Sequence, residues 1–101
     1  MSKLLFGMGD VQHHILATVI RKPEIAYGAK LADEVSLILD RDVERREIMQ
    51  AIGRMRLAGL IEQEVTIKRQ ARGGPRKYYS ATENGKMILQ TQDELRKGKA
   101  A

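Results

Sequence analysis

The sequence is informative first for what it lacks. Its 101 residues include no cysteine, no tryptophan, one phenylalanine and three tyrosines. Without cysteine the chain has no disulfide, no thiolate zinc site and no cysteine nucleophile. No apolar run approaches the ~18 residues of a membrane span, and the apolar stretch in residues 1–7 is too short for a signal peptide. We therefore expect a single cytoplasmic domain over residues 1–101, stabilised by packing alone.

Residues typical of catalytic and metal sites are also scarce. None of the three serines lies in a nucleophile-elbow sequence, and Asn84-Gly85-Lys86 lacks the rest of a phosphate-binding loop. His13 and His14 follow Asp10 at helical spacings, but adjacent histidines point about 100° apart on a helix and cannot easily share one ion. The sequence thus predicts no enzyme, no cofactor and no metal site, and the histidines are interpreted as a surface or half-buried pair.

Positive charge is concentrated in one third of the chain. Residues 45–77 carry nine Lys or Arg against three acids, whereas the remainder carries nine against ten. The densest part, residues 68–77, has five cations, no acid and a Gly-Gly-Pro turn. A membrane-surface helix would place its cations opposite a wide apolar face, so this pattern indicates a basic loop and no membrane partner. The concentration favours a surface that binds a polyanion.

Periodicity predicts two helices in the first 40 residues. The first has Asp10 as its expected N-cap and ends before Pro23. Ile25 and Ala26 would suit a brief strand, and the second helix begins near Gly28. The residues expected to face the core are Val11, Ile15, Leu16, Val19 and Ile20 in the first helix, and Leu31, Ala32, Val35, Ile38 and Leu39 in the second.

A third helix is expected from about Val43 to Ala58, with Asp42 as its N-cap. Its apolar stripe is Ile48, Ala51, Ile52 and Met55. Placing this stripe inward leaves Arg46, Gln50, Gly53 and Arg54 outward. Leu57 also projects outward, where it meets a neighbouring element or a partner.

After Gly59, which is placed to end the third helix in a left-handed conformation, the period changes to two. Residues 61–68 and 78–81 then form an antiparallel hairpin with a long basic tip, with Tyr79 on the core side. Thr82 is the expected cap of a last helix over residues 83–97. The face expected to be apolar in that helix comprises Met87, Ile88, Thr91 and Leu95.

These features resemble the PadR-like transcriptional regulators over roughly residues 10–90. The matching segments are Gly28, Ala51-Ile52-Gly53-Arg54-Met55, Gly59-Leu60-Ile61, Gly74-Pro75-Arg76-Lys77-Tyr78-Tyr79 and Ala81-Thr82-Glu83-Asn84-Gly85. The resemblance implies an α+β, mainly α, winged helix-turn-helix fold. It also implies a dimeric binder of double-stranded DNA, in most members a repressor, with the third helix in the major groove and the hairpin on the backbone or minor groove.

Residue chemistry agrees with a DNA-binding role. Arg46, Gln50 and Arg54 are spaced four apart and stack along one helix face, where Arg can bind guanine and Gln adenine through two hydrogen bonds. Cations in the hairpin can each neutralise a phosphate. The expected DNA-binding residues are Arg45, Arg46, Gln50, Arg54, Lys68, Arg69, Arg72, Arg76 and Lys77.

Other interpretations stay open at this point. The helix face and the hairpin tip could be ordinary solvated surfaces, or the basic face could dock an acidic protein partner. The expected homodimer would use the last helix and the N-terminal apolar residues, and an effector-sensing pocket cannot be judged from the few aromatic residues. The candidate dimer contacts are Leu5, Phe6, Ile88, Thr91 and Leu95.

Overall fold

A computed structural model describes residues 9–65 and 77–100. The elements in chain order are α1 (Asp10–Arg21), a 3₁₀ turn (Pro23–Ile25), α2 (Gly28–Leu39), α3 (Arg45–Leu57), β1 (Ile61–Val65), β2 (Lys77–Ala81) and α4 (Glu83–Ala100). The two strands are antiparallel, with Ile61 opposite Ala81 and Val65 opposite Lys77. The predicted α+β, mainly α, winged-helix architecture is confirmed. Within these described ranges no helix combines the length and the apolar character needed to cross a bilayer.

One hydrophobic core lies between the first three helices and the hairpin. The helices contribute apolar stripes at spacings of three and four residues, β2 adds Tyr79, and α4 adds Leu89. The largest fully buried side chains are Ile15, Leu16, Leu31, Val35, Ile48, Ile52 and Met55. Because the stripe of α3 faces this core, the opposite side of α3 is turned outward, as the sequence predicts.

The start of α2 packs closely against α3. Gly28 is buried, and a Cβ at this position would lie 3.1 Å from Met49 Sδ and 3.4 Å from Arg45 Nε. A side chain at residue 28 would therefore require the Met49 and Arg45 side chains to shift. The glycine leaves room for these two side chains at the N-terminal end of α3.

The turn between α2 and α3 is held by a serine rather than by an aspartate cap. Ser36 Oγ accepts a hydrogen bond of 2.9 Å from the Val43 amide and donates one of 3.3 Å to the Val43 carbonyl. Asp40 adopts the left-handed conformation with φ 55°, and the Arg41 amide donates to the Ser36 carbonyl at 3.2 Å. This is the hydrogen-bond pattern of a Schellman helix end.

The end of α3 and the start of α4 are joined through Thr82. Gly59 has φ 76°, which confirms the predicted left-handed glycine after α3. The Thr82 hydroxyl donates to the Gly59 carbonyl at 2.6 Å and accepts from the Gly85 amide at 3.0 Å. The Thr82 amide donates to the Leu60 carbonyl at 3.0 Å. The predicted N-cap of the last helix is therefore confirmed.

Two other predicted caps are wrong. Asp10 is the first residue of α1, whose N-cap is Gly9, and α3 begins after Glu44 rather than after Asp42. Neither helix start has a side-chain cap hydrogen bond. The predicted third helix, from Val43 to Ala58, is correspondingly too long at both ends, and Val43 is a buried turn residue.

The brief strand expected at Ile25 and Ala26 is also wrong, because the chain forms a 3₁₀ turn over Pro23–Ile25. Strand-like pairing begins one residue later than expected. The Ala26 carbonyl accepts a hydrogen bond of 3.0 Å from the Tyr79 amide, and Tyr27 forms an isolated antiparallel bridge with Tyr78. The segment before α2 therefore lies along the free edge of β2.

Three positions that were predicted to face the core are exposed in the structure. Ile38 is 45% exposed because it lies at the edge of the buried face of α2. In α4 the core residue is Leu89, whereas Met87 is 63% exposed and Thr91 is exposed. Since Gly85 contacts Leu60 and Leu16, α4 turns Gly85 and Leu89 inward.

Candidate nucleic-acid interface

The outward side of α3 carries the three side chains expected to contact bases. Arg46, Gln50 and Arg54 are all exposed. Their side chains form no ion pair or hydrogen bond with any residue in 9–65 or 77–100. Successive members are separated by one turn, so their polar groups follow one line along the helix. This line of free donors is the main polar feature of the surface.

Arg45 occupies a different position from these three residues. It is exposed, yet its guanidinium lies beside Gly28 at the start of α2, where Nε and one terminal nitrogen would be 3.4 Å and 3.8 Å from an added Cβ. Arg45 therefore lies on the flank of the outward face, next to the α2 N-terminus. A helix N-terminus with an adjacent guanidinium favours anions.

Of the expected hairpin contacts, the structure places Lys77. It is the exposed first residue of β2, directly opposite Val65. The other expected contacts, Lys68, Arg69, Arg72 and Arg76, lie outside the described residues. That the hairpin tip and the exposed face of α3 share one cationic front stays a prediction.

Two pairs of aromatic and polar side chains attach the hairpin to the helices, and the sequence did not reveal them. Arg56 donates a hydrogen bond of 3.2 Å from its guanidinium to Gln63 Oε1, which links the last turn of α3 to β1. The Tyr27 and Tyr78 rings meet edge to face with centroids 5.1 Å apart. Tyr78 is half-buried and Tyr79 is buried, which confirms their predicted faces. The base of the hairpin thus contacts both helices of the helix-turn-helix.

Acidic side chains border one side of the basic face. Gln50 and Arg54 line an open groove between α3 and the start of α1, and Asp10 and Glu47 line the same groove. Glu47 accepts a hydrogen bond of 3.3 Å from Arg41. Asp10 and Glu47 therefore place negative charge at the α1 side of this face, next to Gln50 and Arg54.

The histidine pair belongs to the helix packing. His13 is 6% exposed, which is more buried than predicted, and its Nδ1 lies 3.2 Å from Gln92 Oε1 in α4. The His13 and His14 rings are perpendicular, with centroids 5.1 Å apart. No group of His, Cys, Asp or Glu in the described part of the chain is arranged to hold a metal ion. The pair therefore serves the contact between α1 and α4.

The expected dimer contacts are only partly within the described structure. Ile88 is half-buried against the core of its own chain, and Thr91 is exposed. Leu5, Phe6 and the side chain of Leu95 lie outside the description. Ile88 thus has an intramolecular packing role whether or not it also meets a second copy.

Helices α2 and α3 joined by a tight turn, with a two-stranded hairpin packed at the end of α3, define a winged helix-turn-helix protein. Solved structures of PadR-like regulators are similar to it along nearly the whole chain. A PadR-like transcription factor from Bacteroides fragilis has a TM-score of 0.74 at 21% identity and covers 95% of this chain and 88% of its own. No protein-family model and no curated protein matches the sequence.

Two further structures are more similar in sequence. A PadR-like transcriptional regulator from Bacillus cereus has a TM-score of 0.69 at 25% identity and covers 83% of this chain and 78% of its own. A PadR family transcription regulator from Clostridium difficile has a TM-score of 0.64 at 28% identity and covers 91% and 93%. The resemblance to the PadR-like family is confirmed, and the similarity is to transcription regulators rather than to protein-docking modules.

Proposed function

We propose that the chain is a transcription regulator that binds specific sequences of double-stranded DNA. In this proposal it acts as a repressor and is located in the cytoplasm. The observation that supports this most strongly is the line of exposed, unpaired Arg46, Gln50 and Arg54 on α3. It occurs in a fold similar to that of PadR-like transcriptional regulators. An exposed arginine in water gains little from its own chain, whereas a base edge offers it two acceptors.

In this proposal α3 enters the major groove. The eight residue steps from Arg46 to Arg54 span roughly 12 Å at ~1.5 Å per step, which corresponds to about three or four base pairs at ~3.4 Å each. Arg46 and Arg54 would bind guanine O6 and N7, and Gln50 would bind adenine N6 and N7. Ser36 holds the turn that leads into α3.

The hairpin and the flank of α3 would contact the DNA backbone. Lys77 on the hairpin and Arg45 on the flank of α3 are the described cations placed for such contacts.

 In this proposal these two cations contribute affinity for any duplex rather than base reading. Each cation that neutralises a phosphate releases counterions, which gives binding to any sequence that weakens as salt rises. The expected contacts Lys68, Arg69, Arg72 and Arg76 would act in the same way.

A two-fold homodimer completes the proposal. Two copies of α3 would enter successive major grooves about 34 Å apart, so the operator would be a palindrome. The contact would use α4, with exposed Thr91 and Met87 as its described candidates, together with Leu5, Phe6 and Leu95. Sedimentation that gives a monomer at tens of micromolar would contradict the dimer.

The test begins with selection of bound fragments from random duplex DNA, followed by binding titrations at several salt concentrations. Arg54→Ala should weaken binding to the selected operator by ~1–3 kcal/mol and leave binding to random duplex nearly unchanged. Lys77→Ala should weaken binding to both duplexes and reduce the slope of log affinity against log salt concentration by about 0.9. Lys86→Ala is the matched control, because Lys86 is an exposed cation on α4 that pairs with Glu83 at 3.7 Å.

Three results would count against the proposal in different ways. If Arg54→Ala weakened binding equally on every DNA sequence, Arg54 would not contact base edges. A salt slope unchanged by Lys77→Ala would remove that residue from the backbone contact. The absence of salt-sensitive binding to any duplex would refute the DNA-binding function itself.

A further inference from the structure

Leu57 is an anomaly on the outward face of α3. Its side chain is 92% exposed, more than the other exposed large apolar residues of the described chain, such as Leu37 at 78%. It lies in the last turn of a helix that is well anchored on its opposite side. Within residues 9–65 and 77–100 no element covers Leu57, so its apolar surface is available to a partner.

Leu57 lies in line with the residues proposed to contact bases. A helix advances about 100° per residue, so the positions seven and eleven residues after Arg46 return to within about 20° of its direction. These positions are Gly53 and Leu57, and a Cβ on Gly53 would have nothing within 4 Å. The centre of the outward face therefore runs from Arg46 past a bare backbone to an isolated leucine.

Among the groups that DNA presents in the major groove, one is apolar: the C5 methyl of thymine. The groove beside Leu57, between α3 and β1, is lined by one cation, Arg56, and one carboxylate, Glu62. Leu57 itself offers a phosphate no hydrogen-bond donor, so the methyl group on a base edge is the DNA group that suits its side chain.

We propose that Leu57 reads the methyl group of a thymine in the major groove, an inference that rests on the proposed DNA-binding function. The eleven residue steps from Arg46 to Leu57 span roughly 16 Å at ~1.5 Å per step. At ~3.4 Å per base pair, the thymine lies about five base pairs from the base that Arg46 contacts. The absence of a side chain at Gly53 lets the helix backbone approach the groove between these two contacts.

The experiment replaces each thymine of the selected operator, one at a time, by deoxyuridine, which lacks only the C5 methyl and keeps the base-pairing groups. Wild-type protein should bind about four-fold more weakly when one particular thymine is replaced, as expected for one buried methyl group. Leu57→Ala should bind the unmodified operator at least four-fold more weakly and should show no further loss at that thymine. Leu37→Ala, an equally conservative change on α2, should keep the full thymine preference.

Each other outcome overturns the inference. Leu57 does not contact the methyl group if Leu57→Ala binds the operator as tightly as wild-type protein does. The same conclusion holds if Leu57→Ala loses as much affinity as wild-type protein when the thymine is replaced by deoxyuridine. If Leu57→Ala changed the sedimentation coefficient of the protein but kept its thymine preference, Leu57 would instead lie in a contact between two copies of the chain. If wild-type protein binds no duplex, the DNA-binding function fails, whereas operator binding without any effect of Leu57→Ala refutes this inference alone.

Discussion

Replacing Gly85 by alanine separates local helix propensity from tertiary packing. Propensity alone favours the change by up to about 1 kcal/mol, because glycine is a poor helix former. Packing opposes it, since a Cβ on Gly85 would overlap the Leu60 carbonyl oxygen and lie 3.3 Å from Leu16 Cδ1. The two arguments give opposite signs, so the measured sign decides between them.

The magnitude follows from what the Leu60 carbonyl already does. It accepts the Thr82 amide at 3.0 Å, and an added methyl group would separate α4 from the turn that ends α3. Overpacking costs ~1–3 kcal/mol, and a lost backbone hydrogen bond adds about 1 kcal/mol. After the gain in propensity, we expect Gly85→Ala to lower the free energy of unfolding by about 2 kcal/mol.

Urea unfolding at matched protein concentration measures this difference. With a loss of about 2 kcal/mol the melting temperature should fall by roughly 8–16 °C. Gly53→Ala is the matched control, because Gly53 is also a helical glycine but has nothing within 4 Å of an added Cβ. It should stabilise the fold by up to about 1 kcal/mol. If Gly85→Ala were as stable as Gly53→Ala, the close approach of α4 to Leu60 would be incorrect.

Two further predictions concern the turn between α2 and α3. Asp40→Gly should raise the free energy of unfolding by about 0.5–1 kcal/mol, because glycine adopts the left-handed conformation more easily and the change removes a negative charge from the C-terminus of α2. A loss of stability in urea unfolding would argue against a left-handed conformation at Asp40. Ser36→Ala should cost about 1–2 kcal/mol, because the Val43 amide and carbonyl lose their shared partner. Hydrogen exchange of the Val43 amide should be faster in this variant, and unchanged protection would show that Ser36 does not hold the turn.

The face of α3 was predictable from sequence because its pattern is simple. Ile48, Ala51, Ile52 and Met55 form one unambiguous stripe, so the outward direction follows from helix geometry alone. Gly59 was predictable for a similar reason, since a left-handed residue between a helix and a strand strongly favours glycine. Both patterns depend only on residues close together in the sequence, and both features are present in the folded protein.

The orientation of α4 was not predictable in this way. Its docking uses Gly85, whose close contact with Leu60 leaves no hydrophobic signal in the sequence. The buried face, centred on Gly85 and Leu89, lies nearly half a turn, about 160°, from the direction of Met87 and Thr91 at ~100° per residue. Apolar periodicity cannot identify a contact that depends on the absence of a side chain.

The starts of α1 and α3 show a second limit of sequence patterns. Asp10 and Asp42 have the residue type of an N-cap, but capping requires a particular backbone conformation at the junction. Before α3 that junction is fixed by Ser36, seven residues from its partner Val43. The composition of a turn therefore did not indicate which of its polar side chains supports it.

The contact between His13 and Gln92 joins residues 79 positions apart, and Leu89 fills the core beside the first helix. A ribosome releases the N-terminal end first, so α1 leaves the exit tunnel long before its partner in α4 has been synthesised. During that interval Ile15 and Leu16 lack part of their final cover. The core of this domain therefore closes only after α4 has left the ribosome.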